Sequence, residues 1–162
     1  MLFWFAGVAV VVVWKVFQDT AIDYRLIMAG ALAPDVLDVL AGGAGVFHTV
    51  ASSAVLLSAV MAATRGRRRL RRRLLALPVG TLLHLVLDGA WSDAGLFWWP
   101  ALGAQLPGDA PLSFHRPLFV LMAQEAVGVA AMAWWWRRFR MNEPERRRIF
   151  LRTGHLGRDL VA

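Results

Sequence analysis

The strongest constraint on this chain is a stretch from residue 41 to residue 63, 23 positions without a Lys, Arg, Asp or Glu. A helix of that length rises about 34 Å, enough for the hydrocarbon core of a bilayer. Three further apolar segments accompany it. Residues 2–17 carry only Lys15, residues 74–91 have no formal charge before Asp88, and residues 117–136 are interrupted by Gln124 and Glu125. Residues 22–33 are partly apolar but too short to span, and predict a re-entrant or interfacial helix. The expected fold class is therefore all-α: a polytopic membrane helix bundle with about four transmembrane helices over residues 1–136. Residues 2–17 lack a basic leader and an A-x-A cleavage site, so they are expected to be a retained helix.

Charge supports the same reading. Apolar residues make up 58% of the chain, well above the usual share for a soluble domain. Of 18 Lys and Arg, seven fall in residues 65–73 and eight in residues 137–158, leaving Lys15, Arg25 and Arg116 elsewhere. A basic protein of net charge +7 can bind nucleic acid, but these runs directly flank apolar segments. They predict cytoplasmic loops contacting anionic lipids, with no nucleic-acid partner. Both termini are then expected inside a bacterial cytoplasmic (inner) membrane, with residues 18–40 and 92–116 facing outward. Trp91, Trp98 and Trp99 fit an outer aromatic belt, and Trp134, Trp135 and Trp136 an inner one. Residues 137–162 are expected to form a separate basic tail. Within it, Asn142-Glu143-Pro144-Glu145 starts a short amphipathic surface helix, with Pro in its first turn.

Placing the arginines inside sorts the remaining polar residues. Asp35, Asp38, His48, His84, Asp88 and His115 all gather on the outer side. His84 and Asp88 are four apart, so both side chains leave one helical face, at a separation where two ligands reach one ion. Asp35 and Asp38, three apart, also share a face, although acids after Pro34 equally suit a helix start. His48 alone would be an ordinary hydrogen-bond donor; its company makes it a candidate ligand. The chain has no cysteine, so any metal must be held by His, Asp or Glu. Glu125 lies well inside the last apolar segment, where a carboxylate costs several kcal/mol unless neutral or paired. It is a candidate catalytic base, proton carrier or packing partner. No Gly-rich phosphate loop and no Gly-x-Ser-x-Gly elbow occurs.

The ordered set Gly30-Ala31-Leu32-Ala33-Pro34-Asp35-Val36-Leu37-Asp38, His48-Thr49, His84-x-x-x-Asp88 and Trp99-Pro100 resembles the YdjM-like family of inner-membrane metal-dependent hydrolases. The likeness spans roughly residues 20–105. Thr49 stands where the family usually has Ser, and residues 2–17 lack the His that members often carry. The resemblance implies kinship with zinc-dependent phospholipases C and related nucleases. It makes Asp35, Asp38, His48, His84 and Asp88 the metal-site residues.

These readings together predict a membrane-embedded hydrolase of a lipid or lipid-linked phosphoester, using a divalent metal such as zinc near the outer face. Asp38 or Glu125 would orient or deprotonate water, and Arg116 with His115 would hold an anionic headgroup. Two rivals stand beside it: a non-enzymatic membrane protein whose His and Asp residues form a structural metal or ion-transport site, and an adaptor that docks lipid or a partner on its arginines.

Overall fold

A computed structural model describes residues 1–42, 45–103 and 116–157, and these are all-helical. Eight α-helices follow in order: α1 Leu2–Phe17, α2 Tyr24–Leu40, α3 Val50–Ala63, α4 Arg68–Leu74, α5 Ala76–Leu87, α6 Ala94–Phe97, α7 Leu118–Arg138 and α8 Pro144–Thr153. Short 3-10 turns lie at Val46–His48 and Ala90–Ser92. Among the described residues, one helix, α7, is long and apolar enough to cross a membrane. Only 11% of its most apolar window is buried inside the protein.

Glycine pairs set the packing. A Cβ on Gly30 would stand 2.3 Å from the Leu77 carbonyl oxygen, and one on Gly80 2.5 Å from that of Ile27. α2 and α5 therefore touch backbone to backbone, and any side chain at either position would force them apart. Gly7 and Gly128 bring α1 against α7 in the same way. α1 also packs on α2, joining the two pairs. The core is built from Phe5, Val10, Val13 and Trp14 of α1, Tyr24 and Ile27 of α2, and Trp135 and Phe139 near the end of α7. It continues through Met141, Phe150 and Leu156, so residues 141–156 dock onto the bundle. Trp135 is 1% exposed and packs edge-on against Phe150, which takes it out of the expected aromatic belt; Trp134 and Trp136 remain at the surface.

The helix directions correct the expected topology. Arg72 pairs with Asp19 at 2.6 Å, and Arg73 with Asp23 at 2.9 Å. Arg25 donates to the Leu151 carbonyl, and the Leu156 amide to that of Thr20. The connection between α1 and α2 thus lies at the arginine end, not opposite it. At the other end the Phe3 amide meets Glu125, and the Trp4 indole N–H donates to the Leu87 carbonyl. The start of α1 and the basic segment after α7 therefore sit at opposite ends of the described bundle, whereas the sequence led us to expect both termini on one side.

α2 is the second correction. It runs 17 residues, about 25 Å, past Pro34 in its interior, and is a full-length member of the bundle rather than a short re-entrant piece. Asp23 starts it, its carboxylate accepting the Arg25 amide. The continuous apolar face against α5 carries it through the missing proline N–H. The third correction concerns residues 41–63. They are not one helix, because Gly42 and Gly45 adopt left-handed φ of 86° and 72°. That reversal stops α2 and delays α3 to Val50, with Thr49 accepting the Ser52 amide as its cap.

Asp23 is fully buried and accepts four hydrogen bonds, from the Arg25 amide, Arg25 Nε and Nη2, and Arg73 Nε. Burial pushes its carboxyl up, but the two guanidiniums outweigh this and hold it below the ordinary carboxylate value. A depressed folded value means the stabilisation is complete above the unfolded pKa, about 3.9, and fades as pH falls through the folded one. Asp23→Asn is expected to cost about 2 kcal/mol at neutral pH, read as a lower unfolding midpoint in detergent. The gap to the unsubstituted protein should close as pH drops below about 4.

Candidate metal centre

The glycine reversal between α2 and α3 has a consequence ten residues wide. It folds His48 back onto the C-terminal half of α2. His48 Nδ1 there meets the carboxylate of Asp38, whose other oxygen accepts the Phe47 amide at 3.1 Å. A carboxylate only accepts, so Nδ1 carries a proton, and in the neutral imidazole Nε2 then presents its lone pair. On α5, His84 Nδ1 lies 2.7 Å from the Ala31 carbonyl oxygen. The same logic fixes its tautomer, again with the Nε2 lone pair free. The Phe5 ring lies against the His84 imidazole, centroids 4.0 Å apart.

The two lone pairs point at one place. His48 Nε2 and His84 Nε2 are 3.1 Å apart, and Asp35 Oδ1 is 3.3 Å from the first and 3.5 Å from the second. Donor–metal lengths of about 2.0–2.1 Å at tetrahedral angles put neighbouring ligand atoms about 3.3–3.4 Å apart. The triangle therefore has the edges of a tetrahedral face. Asp35, His48 and His84 form a group that could hold a metal ion. Two lone pairs and a carboxylate oxygen converging on one point repel one another unless a cation or proton joins them. Both histidines are fully buried, while Asp35 is partly exposed, so the centre is reached from the Asp35 side.

The other expected residues fall into distinct places. Asp38, read as ligand and base, has both oxygens engaged in orienting His48 and Phe47, so it stands behind the ligand rather than in the triangle. Asp88 ends α5 one turn after His84. Its carboxylate is buried, and neither oxygen has a hydrogen-bond partner among the described residues. It lies close enough to His48 and Asp35 for their charges to interact. Arg116 Nη2 approaches Asp88 Oδ1 at 3.5 Å and donates to the Asp88 carbonyl, while Nη1 donates to Gln124. Glu125 is not in the triangle: it accepts the Phe3 amide at 3.0 Å, a packing role at the start of α1. His115 lies outside the described residues.

Two contributors carried no sequence signal. The Ala31 carbonyl acts through its backbone, and Phe5 reads as one apolar residue among many in α1. Compared with known protein families, with curated proteins and with solved structures, the chain finds no match.

Asp38 offers a selective test. Asp38→Asn keeps the shape but weakens the hold on the His48 tautomer, and is expected to lower zinc affinity about tenfold to a hundredfold. Competition with a chromophoric chelator measures it. His84→Ala, which removes one corner of the triangle, should lose the site at the same zinc concentration.

Proposed function

We propose that this protein is a membrane-embedded, metal-dependent hydrolase of a phosphoester carried on a lipid or lipid-linked molecule. The convergence of His48 Nε2, His84 Nε2 and Asp35 Oδ1 at tetrahedral spacing carries the reading. Two imidazoles and one carboxylate suit zinc, and three protein ligands leave a fourth position for water or substrate. When bound, the ion supplies a water of lowered pKa and polarises a phosphoryl oxygen.

The chain's own groups fill the remaining roles. His48 and His84 hold fixed tautomers through Asp38 and the Ala31 carbonyl, so no reorientation precedes binding. Asp88, whose two carboxylate oxygens have no hydrogen-bond partner among the described residues, takes the proton-accepting role that the sequence assigned to Asp38 or Glu125. The Arg116 guanidinium beside it holds the anionic headgroup. The ordered likeness to YdjM-like hydrolases agrees with this chemistry.

The membrane setting is supported by the exposed apolar surface. Val16, Phe17, Val55, Val86, Phe119 and Met122 are all more than half exposed. Covering such a surface is a bilayer's role. The arginine end then faces the cytoplasm of a bacterial inner membrane, with its exposed arginines meeting anionic lipid. The metal centre and the start of α1 lie at the outer face. α1, α2, α3, α5 and α7 cross between them, the shorter ones accommodated by local thinning of the bilayer.

Zinc-loaded protein in detergent should release product from a lipid phosphoester such as phosphatidic acid or phosphatidylglycerol. Asp35→Ala and His84→Ala should each reduce the rate about a hundredfold or more. Undiminished hydrolysis in the double variant contradicts the proposal.

A further inference from the structure

α3 packs on α5 and on the turn holding His48, but it stands off from α2. Between α2 and α3 a cleft of about 270 Å³ opens, lined by Pro34, Leu37, Phe47, Ser53, Leu56 and Thr81 among others. Three of its lining residues lie close to the metal-centre residues in the chain. Pro34 precedes Asp35 in the chain, Phe47 precedes His48, and Thr81 lies one turn before His84. Its rims, Leu37 and Val55, are exposed, so it opens sideways rather than at the end of the bundle. From Ser52 to Ala59 it follows α3 for about 10 Å away from the centre.

The cleft wall is apolar except for the hydroxyls of Ser52, Ser53 and Thr81, and the charged Asp35 neighbours it in the chain, next to Pro34. Ser53 is the informative one. It is 2% exposed, it lines the cleft, and its Oγ has no hydrogen-bond partner among the described residues. Ser52 does not share this state, since its Oγ donates to the Phe47 and Thr49 carbonyls. A buried hydroxyl without a partner is destabilising, and a ligand oxygen beside it removes that penalty. An outer-leaflet lipid has this sequence of chemistry: a phosphate at the surface, ester oxygens just below, then hydrocarbon toward the membrane centre.

We propose that the α2–α3 cleft is the acyl-chain subsite of this enzyme, entered laterally from the bilayer. The phosphoester lies at Asp35, His48 and His84, an ester oxygen accepts the Ser53 hydroxyl, and one chain lies against Leu37, Phe47 and Leu56. This assignment rests on the hydrolase reading for what happens at the head, and on the cleft alone for where the chain lies. It selects diacyl or monoacyl phospholipids over soluble phosphoesters.

The test uses full-length protein in nanodiscs containing phosphatidic acid with a diazirine at the end of one acyl chain. Photolabelling followed by peptide mapping should mark α2 and α3 at the cleft. Val55→Trp and Ala59→Trp, both at exposed positions that tolerate bulk, should each cut that labelling at least tenfold while zinc content stays that of the unsubstituted protein. Ser53→Ala, which leaves the cleft open, should cut it roughly threefold to tenfold. Labelling spread evenly over α1, α3 and α7, or unchanged by both tryptophans, overturns the subsite. Loss of hydrolysis or zinc with cleft labelling intact overturns the hydrolase reading and leaves the subsite standing.

Discussion

Two imidazole lone pairs and a carboxylate oxygen meet inside a helical bundle, and three helical elements are held in place so that they can. α2 brings Asp35 and the Ala31 carbonyl, the turn at Val46–His48 brings His48, and α5 brings His84. The requirement for close approach explains the glycines at Gly30 and Gly80. With side chains there, α5 would stand farther from α2, and His84 would lose both the Ala31 carbonyl and the triangle. The requirement for a reversal explains Gly42 and Gly45. A continuous helix through residues 41–63 would carry His48 away from Asp38.

The opposite end of the molecule solves a different problem. Asp19 and Asp23 draw Arg72, Arg73 and Arg25 together, and the segment after α8 closes over them through the Gly154 carbonyl and the Leu156 amide. The bundle thus has a clasped, basic end and, opposite it, the end that carries the triangle able to hold a metal, with Asp35 partly exposed.

Much of this was legible in the residues. The helical class, the boundaries of α1 and α7, and the Pro144 start of α8 follow from hydropathy and capping. The His84 spacing and the company of Asp35 and His48 pointed to the centre. The division of labour between Asp35 and Asp38 was not legible. Both leave one face of α2, and only the glycine reversal decides which meets Nδ1 of His48 and which meets Nε2. The partner of Glu125 was not legible, because burial cost flags a carboxylate in an apolar segment without naming the backbone amide, here that of Phe3, that one of its oxygens accepts. The direction of α1 had a signal: Lys15 and Arg25 bracket the connection to α2, and acidic Asp19 and Asp23 count little in the positive-inside rule. The break within residues 41–63 also had one, in the glycines at its start.

The central claim is that this triangle is a tetrahedral metal face. X-ray absorption at the zinc edge of the purified, zinc-loaded protein tests it most directly. The account predicts one zinc per chain with two imidazole nitrogens and one or two oxygens at about 2.0–2.2 Å. It also predicts that the imidazole scattering disappears in the His48→Ala, His84→Ala double variant. Zinc bound through oxygen alone, or an unchanged spectrum in that variant, contradicts it.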